Sequence, residues 1–258
     1  MEELHYRALP EEDMYVDLPN TDGLKIKGIL RGTFDMPLVV IMHGLTGEAN
    51  ELLPYLSARY LYERGFASLR LYMYNPEPNT RDLIDCTLQT HADDFDTVIN
   101  FLRTKNVPKL FAAGHSYGGA TILLAKSKLD AAVLWDPSHG LAFQDENREK
   151  QKREARQKQF DDFDAYLSGP GYVLAKAISH EQQTLGDTTD WAAGKGYPLK
   201  IISAAKGVLS ELGKRYVAVA DEPKSLITIE DAHHNFEDSD EVMLQLFKET
   251  ADWLKEYS

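Results

Sequence analysis

Apolar positions along this chain gather in short, often β-branched runs, separated by longer stretches with helical spacing. Pro37–Met42, Phe66–Leu71, Leu110–Ala113, Ala131–Trp135, Leu199–Ser203 and Ser225–Ile229 are apolar at most positions, the pattern of strands buried on both faces. Ahead of them, Met14–Leu18 and Leu24–Leu30 read as an antiparallel pair joined by the turn Pro19-Asn20-Thr21-Asp22-Gly23. A helix is predicted from about Glu51 to Arg64, closed by Gly65. Phe95, Val98, Ile99 and Leu102 lie one helical turn apart, so Asp93 to Lys105 is predicted as an amphipathic helix covering the sheet. Ala120–Lys126 is rich in helix formers, and a last helix is predicted from about Asp240 to Lys255. Strands alternating with helices imply an α/β fold, a mostly parallel sheet with helices on both faces. No internal repeat is visible.

Three of the predicted strands end in residues that carry chemistry. Leu110–Ala113 runs into Gly114-His115-Ser116-Tyr117-Gly118-Gly119 and then directly into a helical stretch. A G-x-S-x-G sequence between strand and helix is the setting of a nucleophile elbow, a turn so tight that Gly114 and Gly118 must lack side chains. Ser116 is then presented at the top of the sheet, in front of a helix N-terminus whose N–H groups favour an oxyanion. The strand Pro37–Met42 ends in His43-Gly44-Leu45-Thr46-Gly47, and Ser225–Ile229 leads to His233-His234-Asn235-Phe236. A serine hydroxyl becomes a useful nucleophile only when an imidazole takes its proton and a carboxylate orients that imidazole.

Composition narrows the classes. The chain has 258 residues, 43% of them hydrophobic, enough to bury a large core in one unit. No stretch approaches the roughly eighteen uninterrupted apolar residues of a membrane span. The opening Met1-Glu2-Glu3-Leu4-His5-Tyr6 is acidic and polar, unlike a secretory leader, and Cys86 is the only cysteine, so no intrachain disulfide can form. A cytoplasmic location is therefore expected, with Cys86 as a small packing residue. A net charge of −13 argues against nucleic-acid and anionic-membrane partners. No His/Cys/carboxylate cluster has metal-ligand spacing and no phosphate-loop pattern is present, so neither a metal nor another cofactor is expected.

Together, "HGLTG" at 43–47, "GHSYGG" at 114–119 and "HHNF" at 233–236 resemble the oxyanion loop, nucleophile elbow and terminal histidine segment of the α/β-hydrolase fold family. The resemblance covers nearly the whole chain. More narrowly, the layout is similar to single-domain bacterial esterases and lipases with a helical lid, cinnamoyl esterases and monoacylglycerol lipases among them. It implies Ser116 as nucleophile, His234 as base, and the backbone N–H groups of Leu45 and Tyr117 as the oxyanion hole. His233 is the alternative base if the loop is displaced by one residue. His43 is expected to hydrogen-bond within its loop and to face the substrate pocket. The acid is where the chain departs from the family. The turn after the seventh strand reads Ser203-Ala204-Ala205-Lys206-Gly207, with lysine where the family places aspartate. Asp136, in an Asp-Pro turn at the end of the sixth strand, is the preferred acid, since strand ends carry the site in open parallel sheets. Glu211 is its alternative, with Asp221 and Asp231 next.

The interval 140–196 shows no strand pattern. Its first part pairs Glu146/Lys150, Glu149/Arg153 and Glu154/Lys158 at i,i+4, the mark of a solvated helix. Phe160, Phe163, Tyr166 and Leu167 then form an apolar stripe at helical spacing. The resemblance implies a core of residues 1–139 and 197–258 with 140–196 as a helical cap, Phe160, Phe163 and Tyr166 lining the substrate pocket. A serine hydrolase acting on small to medium acyl esters is expected, with no partner beyond its small-molecule substrate. A peptidase or amidase on short peptides, or a non-catalytic binding protein on the same scaffold, are the alternatives.

Overall fold

Residues 13–138, 154, 157–159, 161, 165–168 and 172–258 are described by a computed structural model. The strands are β1 (Asp13–Pro19), β2 (Lys25–Arg31), β3 (Leu38–Met42), β4 (Ala67–Tyr72), β5 (Leu110–His115), β6 (Ala131–Trp135), β7 (Ala165–Ser168), β8 (Tyr172–Ala175), β9 (Leu199–Ala204) and β10 (Lys224–Ile229). The helices are α1 (Leu52–Tyr62), α2 (Leu88–Thr104), α3 (Tyr117–Leu124), α4 (Lys176–Thr184), α5 (Ser210–Val219) and α6 (Asp240–Lys255). Eight strands form one sheet in the order β1-β2-β4-β3-β5-β6-β9-β10. β1/β2 and β2/β4 are antiparallel, and every later pairing is parallel.

The near-continuous apolar runs follow from that topology. β3, β5 and β6 are interior strands with helices above and below, so both side-chain rows are withdrawn from water. Val40 joins Phe95, Val98, Ile99 and Ile122 on one face, while Val39 and Ile41 join Leu53, Leu56, Phe247 and Leu254 on the other. A period of two along the strand thus feeds two cores. The indole Nε1 of Trp135 donates to Thr250 Oγ1 at 2.9 Å, tying α6 to β6. α2 begins at Leu88, earlier than its apolar spacing suggests, because Thr87 and Thr90 cap its first turn reciprocally.

The interval after β6 differs from its sequence reading. It holds two strands, β7 and β8, paired antiparallel with Tyr166 opposite Leu174 and Leu167 opposite Val173. Tyr166 and Leu174 are buried with Ile178 against Leu45 and Leu83, while Leu167 and Val173 are exposed. The adjacent pair Tyr166-Leu167 therefore splits between two faces, as a strand requires, rather than sharing one helical stripe. Gly169-Pro170-Gly171, which separates the two strands in sequence, is turn chemistry that weighs against a continuous helix. Phe160, Phe163 and most of Asp145–Lys158 lie outside the described residues.

Candidate active site

Three strand ends converge at one edge of the parallel sheet. Ser116 follows β5 with φ 53° and ψ −116°, a left-handed backbone that few side chains adopt, and its carbonyl accepts from the N–H groups of Gly119 and Ala120 as α3 begins. The flanking glycines are dictated by contact. A Cβ on Gly114 would lie 2.7 Å from the carbonyl oxygen of Gly118, and one on Gly118 would lie 2.6 Å from the carbonyl oxygens of Met42 and His43. The turn closes against its own helix and against β3, leaving no space for a methyl group.

His234 Nε2 stands 2.9 Å from Ser116 Oγ, and its Nδ1 stands 2.6 Å from Asp136 Oδ2. A carboxylate can only accept, so Nδ1 carries a proton, and in the neutral form of the ring Nε2 then faces the serine as an acceptor. Asp136 is wholly buried, with φ 43°. Its backbone N–H donates to the Ile202 carbonyl at 2.7 Å, and its Oδ1 accepts from the Ala204 N–H at 3.2 Å. The carboxylate after β6 is thus held by the end of β9, just ahead of a turn where the sequence carries no acid of its own. Lys206 turns away to Asp231 at 3.1 Å. Glu211 is not brought to the site: it is exposed on α5 and pairs with Lys214.

The histidine loop is fixed from both sides. His115 Nε2 donates to the His234 carbonyl at 2.8 Å, with the two rings 4.8 Å apart. Burial, then the neighbouring His234, lowers the His115 pKa to about 3, so its ring is neutral. Phe236 is fully buried, anchoring the loop below. His233 points outward and binds Asp238 through its Nδ1 at 2.5 Å, away from Ser116.

The loop after β3 lies against the elbow. A Cβ on Gly44 would meet Ser116 Cβ at 3.4 Å, and Leu45 packs beside Tyr117, the first residue of α3. His43 is buried and neutral, its pKa lowered to about 4 by desolvation. Its Nδ1 donates to the Gly44 carbonyl at 2.7 Å and its Nε2 accepts from the Met73 N–H at 3.2 Å, so it braces the loop as a hydrogen-bonder. Further along, Arg70 Nη1 donates to the Ala49 carbonyl at 3.1 Å and Asn50 Oδ1 at 3.0 Å.

Residues 39–246 match the model of the alpha/beta hydrolase family. The chain belongs to this family. Est1E from Butyrivibrio proteoclasticus, in a structure with ferulic acid bound, is 21% identical, with 95% of this chain and 98% of that chain covered and a TM-score of 0.73. GrgF, an alpha/beta hydrolase from Penicillium sp. sh18, is 14% identical over 95% and 98% of the two chains, with a TM-score of 0.74. The esterase domain of a Rhodothermus marinus protein is 16% identical over 95% and 98%, with a TM-score of 0.66. At these identities the likeness is one of fold. No curated protein sequence matches the chain.

In this alpha/beta hydrolase, a cavity of about 480 Å³ opens over the relay, with His43, Gly47, Glu51, Ser116, His234 and Glu237 in its wall. Burial raises the pKa of both Glu51 and Glu237, and Glu237 raises that of Glu51 further. Among the described lining residues there is no lysine or arginine. Tyr166, expected in the pocket, is buried with Leu174 and Ile178 against Leu83 and against Leu45, which lines the cavity. Cys86 is buried with its thiol pushed up to about 12 by desolvation, so it stays protonated and inert. Among the described residues no group of three His, Cys, Asp or Glu could hold a metal ion, and no helix is long and apolar enough to cross a membrane. Sequence reading passes over His115 and Ser138. Neither has a spacing of its own, and only their position beside Ser116 in the fold gives them weight.

Proposed function

We propose that the protein is a serine hydrolase that cleaves carboxylic esters of small to medium acyl groups through Ser116, His234 and Asp136. The observation that carries this reading is the unbroken relay from buried Asp136 through His234 to Ser116, facing an open cavity. Ser116 Oγ attacks the acyl carbon as its proton passes to His234 Nε2. The negative charge moves to the carbonyl oxygen, where the backbone N–H groups of Leu45 and Tyr117 serve as donors. Asp136 holds Nδ1–H and stabilises the imidazolium. Collapse expels the alcohol, which leaves with the proton from Nε2. Water then repeats the sequence on the acyl-enzyme, with His234 again as base, releasing the acid and restoring Ser116.

Ferulic acid in Est1E and the esterase domain from Rhodothermus marinus, both on this fold, support an ester as the substrate. Residues 140–196 are proposed as a cap, since Tyr166 and Leu174 from that interval already pack on Leu45 at the cavity edge. A fluorophosphonate probe should label the protein at Ser116, and nitrophenyl esters should turn over while aminoacyl nitroanilides do not. Labelling that survives Ser116→Ala would remove the nucleophile assignment. Faster turnover of the anilides would replace the esterase by a peptidase. Absence of both labelling and turnover would leave a binding protein.

A further inference from the structure

Ser116 Oγ has a second polar neighbour. Ser138 Oγ lies 2.9 Å from it, the same separation as His234 Nε2 on the other side. The backbone N–H of Ser138 also donates to the Ser116 carbonyl, at 3.1 Å. Residue 138 therefore grips the nucleophile through both main chain and side chain. Its position is fixed from below: Pro137 packs so closely on α3 that a Cβ on Gly119 would lie 2.9 Å from the proline Cβ. One turn, Asp136-Pro137-Ser138, thus reaches both ends of the relay, the carboxylate on the imidazole and the hydroxyl on the nucleophile.

The direction of the hydrogen bond follows from counting protons. In the form of His234 that can act as base, Nδ1–H is donated to the Asp136 carboxylate and Nε2 is bare, so Ser116 must donate to it. A hydroxyl has a single proton, so Ser116 can only accept from Ser138. We propose that Ser138 is a further catalytic residue of the reaction described above, donating a hydrogen bond to the nucleophile oxygen that strengthens whenever that oxygen carries charge. This rests on the reading of Ser116 as nucleophile. As the Ser116 proton moves to His234, Oγ gains negative character and the Ser138 bond becomes charge-assisted. Once the acyl bond forms, Oγ is an ester oxygen and a poor acceptor, and the Ser138 bond weakens. During deacylation Oγ departs with its electron pair and the bond strengthens again. An interaction stronger in the transition states than in the ground state raises kcat rather than lowering KM.

The test uses the intact protein and p-nitrophenyl butyrate, with burst and steady-state phases both recorded. Ser138→Ala keeps the main-chain contact and removes only the donor. Its kcat should fall about 10- to 50-fold, in acylation and deacylation alike, with KM within about twofold. Ser138→Thr, which restores a hydroxyl, should recover most of that loss. Should the alanine variant not fold, Ser138→Cys keeps the volume with a weak donor and should still lose about fivefold or more. A kcat within twofold of the parent in the alanine or cysteine variant overturns the proposal, as does a threonine variant as slow as alanine. Ser116→Ala is run alongside: its retention of activity would overturn the nucleophile itself, whereas an inactive Ser116→Ala with a normal Ser138→Ala would overturn only the role of Ser138.

Discussion

The two turns that make this site, one after β5 and one after β6, solve the same problem with different residues. Both hold a non-glycine residue in the left-handed region, Ser116 at φ 53° and Asp136 at φ 43°. At the first, the backbone closes so tightly on α3 and β3 that glycine is forced on either side. At the second, no glycine neighbours Asp136 in sequence. The turn is held instead by hydrogen bonds to the β9 strand, at Ile202 and Ala204. Backbone that leaves no room for a side chain leaves a sequence signature; backbone held by hydrogen bonds to another strand leaves none.

Asp136→Asn separates the turns most sharply. With the geometry kept and the charge lost, kcat should fall about 10⁴-fold, as the imidazole loses both its orienting acceptor and its stabilising charge. Glu211→Gln should stay within about twofold, since Glu211 is exposed on α5 and turned to Lys214. Ester kinetics on both variants, with thermal melts to confirm folding, decide it. The reverse ranking would return the acid to α5.

A methyl group tests the packing difference. Gly118→Ala places a Cβ 2.6 Å from two carbonyl oxygens of the adjacent strand end and should destabilise the fold by about 3 kcal/mol or more, with loss of activity. Gly207→Ala, in the loop beside Asp136, meets nothing closer than 3.4 Å and should change stability by less than about 1 kcal/mol. Denaturant midpoints give both values. Equal losses would mean that the acid turn is as tightly closed as the elbow.

The elbow side also holds the pH sensitivity. His43 and His91 are buried there, their pKa values lowered by desolvation to about 4 and about 3, and His91 sits edge-on to Tyr117 at 5.5 Å. In the unfolded chain each protonates near 6.5. The unfolded state therefore binds more protons below that pH, and stability present above about pH 6.5 is lost as pH falls towards the folded values. Each imidazole should remove about 2 kcal/mol between about pH 6.5 and 5. His91→Leu should flatten that acid limb in chemical denaturation followed across pH; an unchanged slope would contradict it. A small effect is also expected at His233. It is exposed and paired with Asp238, so His233→Ala should keep kcat within about threefold, whereas His234→Ala should cost nearly as much as losing Ser116.

The residues that were legible in the sequence share a physical trait. Buried parallel strands require unbroken apolar runs, so β3, β5, β6 and β9 could be read directly. Where a short element can satisfy either period, the sequence is ambiguous. Tyr166-Leu167 fitted a helical stripe and lies in a strand, because pairing with Val173 and Leu174 is a choice made between segments. α5 carries its apolar anchors at Leu212 and Tyr216, too few to stand out from the surrounding polar residues.

By itself, then, the sequence determined the layered α/β architecture and the identity of the elbow, since burial on every side demands apolar runs and a turn with no room for side chains demands glycines. For the carboxylate it offered Asp136, then Glu211, with Asp221 and Asp231 next, and for the histidine two neighbours. Only the tertiary structure shows which of these stand beside Ser116. Asp136 and His234 are 98 residues apart in the chain and 2.6 Å apart in space, and no local pattern encodes a distance set by the parallel register of β6, β9 and β10. The same holds for Ser138, whose hydroxyl meets Ser116 only because β5 and β6 are neighbours in the sheet.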